Sequence, residues 1–181
     1  MKQRRSALLW ALALVLLAAV IVFVNLPDSR QKAGAAAAQG SAVGEELPDF
    51  TVTCLDGSDF TLSQHRGKTV VINLWATWCG PCVKELGSFD RLQREHPEAV
   101  SVLALHSEMV TEDVAAFLSA FDYQMPFAVD REGDLIARLG GSTVLPQTLI
   151  VDPDGIVIYN KVGSLSEAAL NALVFPSDGE P

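Results

Sequence analysis

Two cysteines three positions apart, Cys79 and Cys82, stand in Trp78-Cys79-Gly80-Pro81-Cys82, where a buried-strand pattern gives way to a helix pattern. At such a junction the first sulfur meets the unpaired N–H groups and positive end of the helix, which stabilise a thiolate. The pKa of Cys79 should therefore fall below the free-thiol value of about 8.5, making it the nucleophile near neutral pH. Cys82, one helical turn on, can close a disulfide with it or resolve a mixed one. Gly80 and Pro81 suit the tight geometry between the sulfurs, and Trp78 forms part of the rim beside Cys79. Two plainer readings stand beside this one. A purely structural disulfide would close a gap of two residues and stabilise little. Half of a zinc site would need a second ligand pair, and Cys54, His65, His96 and His106 are not spaced to supply it, so no metal is expected. Redox chemistry at Cys79 and Cys82 is the favoured reading, and it requires no cofactor.

The elements that must position this pair alternate in period. Phe50, Val52 and Cys54 share one strand face, Leu55-Asp56-Gly57-Ser58 supplies a turn, and Phe60 and Leu62 resume the alternation as an opening hairpin. Thr69–Trp75 is a β-branched run without punctuation, as expected of a strand covered on both faces. A helix starts near Gly80-Pro81 with Leu86, Phe89 and Leu92 as its apolar stripe, and stops before Pro97. A second buried strand spans Val100–Leu105. A helix from Thr111 through Phe121 carries Val114, Phe117, Leu118 and Phe121 on one face. A short strand at Phe127–Val129, a short helix at Asp134–Leu139, a hairpin of Thr148–Val151 with Ile156–Lys161, and a helix capped by Ser166 complete a mixed-sheet α/β layout. Cys54 shares the inward phase of Phe50 and Val52, so it reads as a buried, inert thiol; the three histidines are isolated, and His106 ends a strand.

Ahead of this domain, Ala7 through Val24 runs for 18 residues without a polar side chain, after Lys2, Arg4 and Arg5. As a helix it would reach across the hydrocarbon core of a bilayer, with the basic end in the cytoplasm. The expected order is a cytoplasmic N-terminus at 1–6, a transmembrane anchor at 7–24, a flexible linker at 25–44, the catalytic domain at 45–175 and a tail at 176–181. A cleaved signal peptide is the alternative, although its apolar core would be shorter and no small-x-small site follows Val24. Charge is uneven: residues 1–32 hold five Lys/Arg against one Asp, and residues 33–181 hold eight against 21 acidic side chains. A body of net charge −13 repels a phosphate backbone, so nucleic acid is excluded as a partner.

Val71-Ile72-Asn73-Leu74-Trp75-Ala76-Thr77-Trp78-Cys79-Gly80-Pro81-Cys82 resembles the active-site strand and turn of thioredoxin-fold proteins. The TlpA/ResA type of membrane-anchored thiol–disulfide oxidoreductase, in the redoxin (AhpC/TSA) branch, is the most similar, over roughly Glu45–Leu173. The resemblance implies a thioredoxin fold, a mixed central sheet flanked by helices with an N-terminal β-hairpin extension, preceded by one transmembrane helix. It implies activity on protein disulfides outside the bacterial cytoplasmic membrane, for example in cytochrome c maturation, recharged by a membrane thiol donor of the CcdA/DsbD kind. Many thioredoxins place an Asp six residues before the first Cys; here that position is Asn73, which cannot accept a proton. Proteins of the TlpA/ResA type often carry a Glu three residues after the second Cys, and that position is Glu85. It would tune the thiols or shuttle a proton; a solvated helix charge is the alternative. Pro146, in Thr143-Val144-Leu145-Pro146-Gln147-Thr148, matches the family's cis-proline facing the Cys pair, with Leu145 offering its backbone to a substrate strand. Two rival functions remain open. A peroxide-reducing redoxin would want Pro-x-x-x-Thr-x-x-Cys, whereas Thr77 sits two residues before Cys79 with no matching Pro. A metal-delivery or docking module on the same fold would use the pair without turnover.

Overall fold

The computed structural model describes residues 42–107 and 114–176. Strands β1 (Thr51–Thr53) and β2 (Asp59–Thr61) pair antiparallel as a ribbon, with Gly57 at φ 85° in the turn between them. The second sheet contains β3 (Thr69–Trp75), β4 (Val100–Ser107), β5 (Phe127–Asp130), β6 (Gln147–Val151) and β7 (Val157–Val162). Among the described residues it has five strands in the order β5-β4-β3-β6-β7. Strands β3, β4 and β5 run parallel, and β6 and β7 complete the sheet antiparallel. The helices are α1 (Gly80–Glu95), α2 (Val114–Leu118), α3 (Asp134–Arg138) and α4 (Glu167–Val174).

The unpunctuated run Thr69–Trp75 becomes the centre of this sheet because a strand paired on both edges and covered on both faces has no place for a polar alternation. Its side chains divide the core in two. Val71 and Trp75 join Ile150 in a cluster with Leu86, Phe89 and Leu92 of α1 and Leu170 and Val174 of α4. Ile72 and Leu74 join Leu149 in a second cluster with Phe50, Phe60 and Leu62 from the ribbon side and Ile136 and Leu139 from the α3 side. The molecule is thus a mixed sheet between a helical layer and a layer made of the ribbon and α3, the fold class expected from the sequence.

Several boundaries differ from expectation. Strand β2 stops at Thr61, and Leu62 starts a 3-10 turn (Leu62–His65), yet Leu62 stays buried at 2% exposure because the turn folds back under the sheet. Strand β4 continues past Leu105 to Ser107, so His106 is inside it. The expected helix through Phe121 ends at Leu118: Ser119 Oγ donates to the Ala116 carbonyl, and Phe121 N–H bonds only three residues back to Leu118, tightening the chain out of the helix. Phe121 is therefore exposed and stacks on Tyr123 rather than facing the core. Ile156 makes an isolated bridge to Glu46 ahead of β7. The predicted start of α2 at Thr111–Asp113, the anchor at 7–24 and most of the linker lie outside the described residues. No helix among the described residues is long and apolar enough to cross a membrane.

Candidate active site

Strand β3 delivers the chain to the end of the sheet, and the turn Ala76–Trp78 hands it to α1. Cys79 is the N-cap of that helix, with extended φ −83° and ψ 92°, and Pro81 sits in the first turn, where its missing N–H costs nothing. The cap is sulfur: Cys79 Sγ accepts the Cys82 N–H at 3.3 Å. Cys79 and Cys82 are joined as a disulfide with Cα atoms 5.2 Å apart. Cys79 is 5% exposed and Cys82 is fully enclosed, so an incoming sulfur can reach only the former. Gly80 and Pro81 are exposed beside it, and Trp78 stands out at 62% exposure. The turn is fastened from below. Thr77 N–H donates to Nε2 of His106 at 3.2 Å, and the buried His106 ring lies edge-on to Trp75 at 5.0 Å.

Glu85 is not a solvated charge. It is 5% exposed, one helical turn beyond Cys82, and points at the middle of β3. Asn73 Nδ2 donates to Oε1 at 3.0 Å and the Leu165 N–H donates to Oε2 at 3.1 Å. Burial holds the carboxyl above its ordinary value, and those two donors pull it part of the way back. Asn73, which occupies the position of the missing acid, is thus the carboxyl's partner. Thr148 lies directly opposite Asn73 in the β3–β6 register, and Asn73 Oδ1 and Thr148 Oγ1 are buried without a hydrogen-bond partner.

The Leu145–Pro146 bond is cis, and the Pro146 carbonyl accepts the Gly163 N–H at 2.8 Å. Leu145 packs against both core clusters, including the one that holds Cys79 and Cys82. Two cavities flank the pair. One of about 340 Å³ is lined by Trp78 and Leu145 with Ile136 and Ala137; the other, of about 420 Å³, contains Pro81, Glu85 and Leu165 in its wall. Every candidate site residue therefore lies on the Cys79–Cys82 turn, on α1 or on the Leu145–Pro146 loop. The sequence reading missed the acceptor role of His106 and the Asn73–Glu85 bond. Their only signal was phase, since Asn73 alternates with Val71 and Trp75 towards α1.

Cys54 is free and packs in the second core cluster, on the opposite face of the sheet from the pair. Burial pushes its thiol up, which suppresses the reactive thiolate. Among the described residues no group of His, Cys, Asp or Glu is arranged to hold a metal ion.

The family described as Redoxin matches residues 42–174. Thiol-disulfide oxidoreductase ResA of Bacillus thuringiensis subsp. konkukian is 34% identical over 129 residues, covering 71% of this chain and 74% of that protein. ResA of Geobacillus kaustophilus is 31% identical over 167 residues, 92% of each chain. Among solved structures, the exposed lipoprotein thioredoxin of Streptococcus pneumoniae superposes with a TM-score of 0.63 at 27% identity, over 70% of this chain and 98% of its own. The family match spans ribbon, sheet and helices and takes in the Cys79–Cys82 pair, the protein's redox centre. The chain belongs to the Redoxin family and is a thioredoxin-like thiol–disulfide oxidoreductase of the ResA/TlpA type.

Proposed function

We propose that this oxidoreductase is a reductase of polypeptide disulfides, held at the outer face of the bacterial cytoplasmic membrane by residues 7–24 and reaching its substrates through the linker at 25–44. The observation that carries the sulfur chemistry is the N-cap: the more accessible sulfur, Cys79, sits where a helix N–H stabilises its anion as the attacking group. The reducing direction rests on the likeness to the ResA type. Reduced Cys79 attacks one sulfur of the substrate disulfide, forms a mixed disulfide and releases the other substrate sulfur as a thiolate. Cys82, deprotonated, then attacks Cys79 Sγ, releases the second substrate thiol and leaves the Cys79–Cys82 disulfide. Two electrons pass to the substrate, and a membrane thiol donor of the CcdA/DsbD kind returns them.

Glu85 is positioned to take the Cys82 proton. It follows that cysteine by one turn, and its raised affinity for a proton brings it closer to a thiol's own. Trp78, Gly80, Pro81 and Leu145 form the surface that the substrate meets, with Pro146 at its edge. Cytochrome c maturation, in which exported cysteines must be reduced before haem attachment, fits such an enzyme. The deciding measurement is the reduction potential of the Cys79–Cys82 pair, on the full chain equilibrated against glutathione. A value near or below about −270 mV, that of thioredoxin, is expected. A value near about −120 mV, that of a strong periplasmic oxidant, would turn the assignment to disulfide formation.

A further inference from the structure

Gln147 follows Pro146 directly, starts β6 and is 3% exposed, yet it has no part in the sulfur chemistry. Its amide is fully used. Oε1 accepts the Ser142 N–H at 2.6 Å, while Nε2 donates to the Gly140 carbonyl at 3.2 Å and to Asn160 Oδ1 of β7 at 2.6 Å. One side chain therefore ties the loop before the cis-proline, through two of its peptide groups, to the neighbouring strand. The other side of the loop is equally close. Gly141 N–H donates to the Ile136 carbonyl at 2.8 Å, and a Cβ at Gly141 would overlap the Ile136 side chain.

This loop is one wall of the 340 Å³ cavity beside the redox pair, which Trp78, Leu145, Ile136 and Ala137 also line. The lining is mainly apolar; the carboxylate it includes, Asp130, is held by the backbone, Oδ1 accepting the Gly133 N–H and Oδ2 the Ile136 N–H. The volume is at the lower end of ligand pockets, about 300–1,000 Å³, and has room for one bulky side chain. A substrate cysteine brought to Cys79 carries its flanking residues past Trp78 and Leu145, so the cavity is what those residues meet.

We propose that Gln147 is a positioning residue: by clamping the loop from Gly140 to Ser142 it holds open an apolar subsite that receives a large apolar side chain next to the cysteine of a polypeptide substrate. The inference rests on the reading of the enzyme as a reductase of polypeptide disulfides.

The test uses the pre-reduced full chain in single turnovers with two peptides that share one intramolecular disulfide. One carries Phe and the other Gly on either side of each cysteine. In each turnover the Cys79/Cys82 dithiol gives two electrons and two protons to the peptide, which becomes a dithiol as the enzyme disulfide forms. Wild type should half-saturate with the Phe peptide at a concentration about tenfold lower than with the Gly peptide. Gln147→Met keeps the side chain's length without its hydrogen bonds and should bring the two peptides to within about twofold, the change falling on the half-saturating concentration. Ala137→Phe, which fills the subsite with the clamp intact, should erase the same preference. Asn160→Ala, which removes one bond of the clamp, should reduce it and serves if Gln147→Met does not fold. Turnover with no preference in wild type, or with a preference that survives these variants, overturns the inference alone. Failure of the reduced chain to react with either peptide overturns the reductase reading and the inference with it.

Discussion

A carboxyl enclosed between the Asn73 amide and the Leu165 N–H, at 5% exposure, is easier to bury as the neutral acid than as the anion. Burial raises the Glu85 value above 4.5, so the folded chain holds this proton more tightly than the unfolded chain does. The stability that the proton contributes is complete below pH 4.5 and is lost as pH rises through the folded-state value. Glu85→Gln keeps the shape and removes the titration. Its stability relative to wild type should therefore rise as pH is taken from about 4 to about 8, in urea unfolding of the oxidised chain. A difference that stays flat would mean that the carboxyl is not raised. The same variant should lose an inflection in the pH–rate curve of mixed-disulfide resolution, and an unchanged curve would remove Glu85 from the proton transfer. The sulfurs make a second prediction. Cys82→Ser should accumulate a mixed disulfide through Cys79, found by mass spectrometry of the trapped adduct. Cys54, buried on the far face of the sheet, should trap none, and an equal yield through Cys54 would refute the division of labour.

Helix α1 carries more than the cysteines, and its inner face shows how the elements are held. Asp90, 1% exposed, accepts the N–H groups of Gln124 and Met125 at 2.6 and 3.0 Å and pairs with Arg94 at 3.1 Å, pinning the chain just before β5 to the helix. Asp90→Ala would strand the buried Met125 N–H and should cost about 1–3 kcal/mol, read as a lower urea midpoint with an unchanged slope. A loss within about 0.5 kcal/mol would place the pin among ordinary surface contacts. None of this was visible beforehand, because Asp90 sits between apolar positions and reads as a solvated helix charge. Periodicity was enough for the strands and for α1, where burial is one-sided or complete and composition follows it directly. It failed where a boundary depends on a local hydrogen bond, as at Ser119, or on a turn that stays buried, as at Leu62. The cysteine pair was legible because its chemistry demands a fixed spacing at a helix start. Gln147 and His106 were not, because their partners, loop peptide groups and for Gln147 also the Asn160 side chain, meet them only once the chain has folded.

At the scale of the whole molecule the charge is the largest fact the site does not explain. Residues 33–181 carry eight basic against 21 acidic side chains, of which Asp130 lines the cavity at Trp78 and Leu145. A field of that sign acts on a charged substrate before contact, raising the encounter rate of a cationic one and lowering that of an anionic one. It acts over about 10 Å at 0.1 M salt and over about 30 Å at 0.01 M. Peptide disulfides alike around their cysteines but ending in Lys or in Glu should therefore differ in second-order rate by about tenfold at low salt, with the Lys peptide faster. The ratio should fall towards one as salt rises, in stopped-flow mixing with the reduced chain. The limiting rate at saturation belongs to the sulfurs and should not follow the salt. A ratio that ignores salt would confine recognition to contacts at the rim, whereas one that falls assigns the acidic body to the capture of basic polypeptide segments.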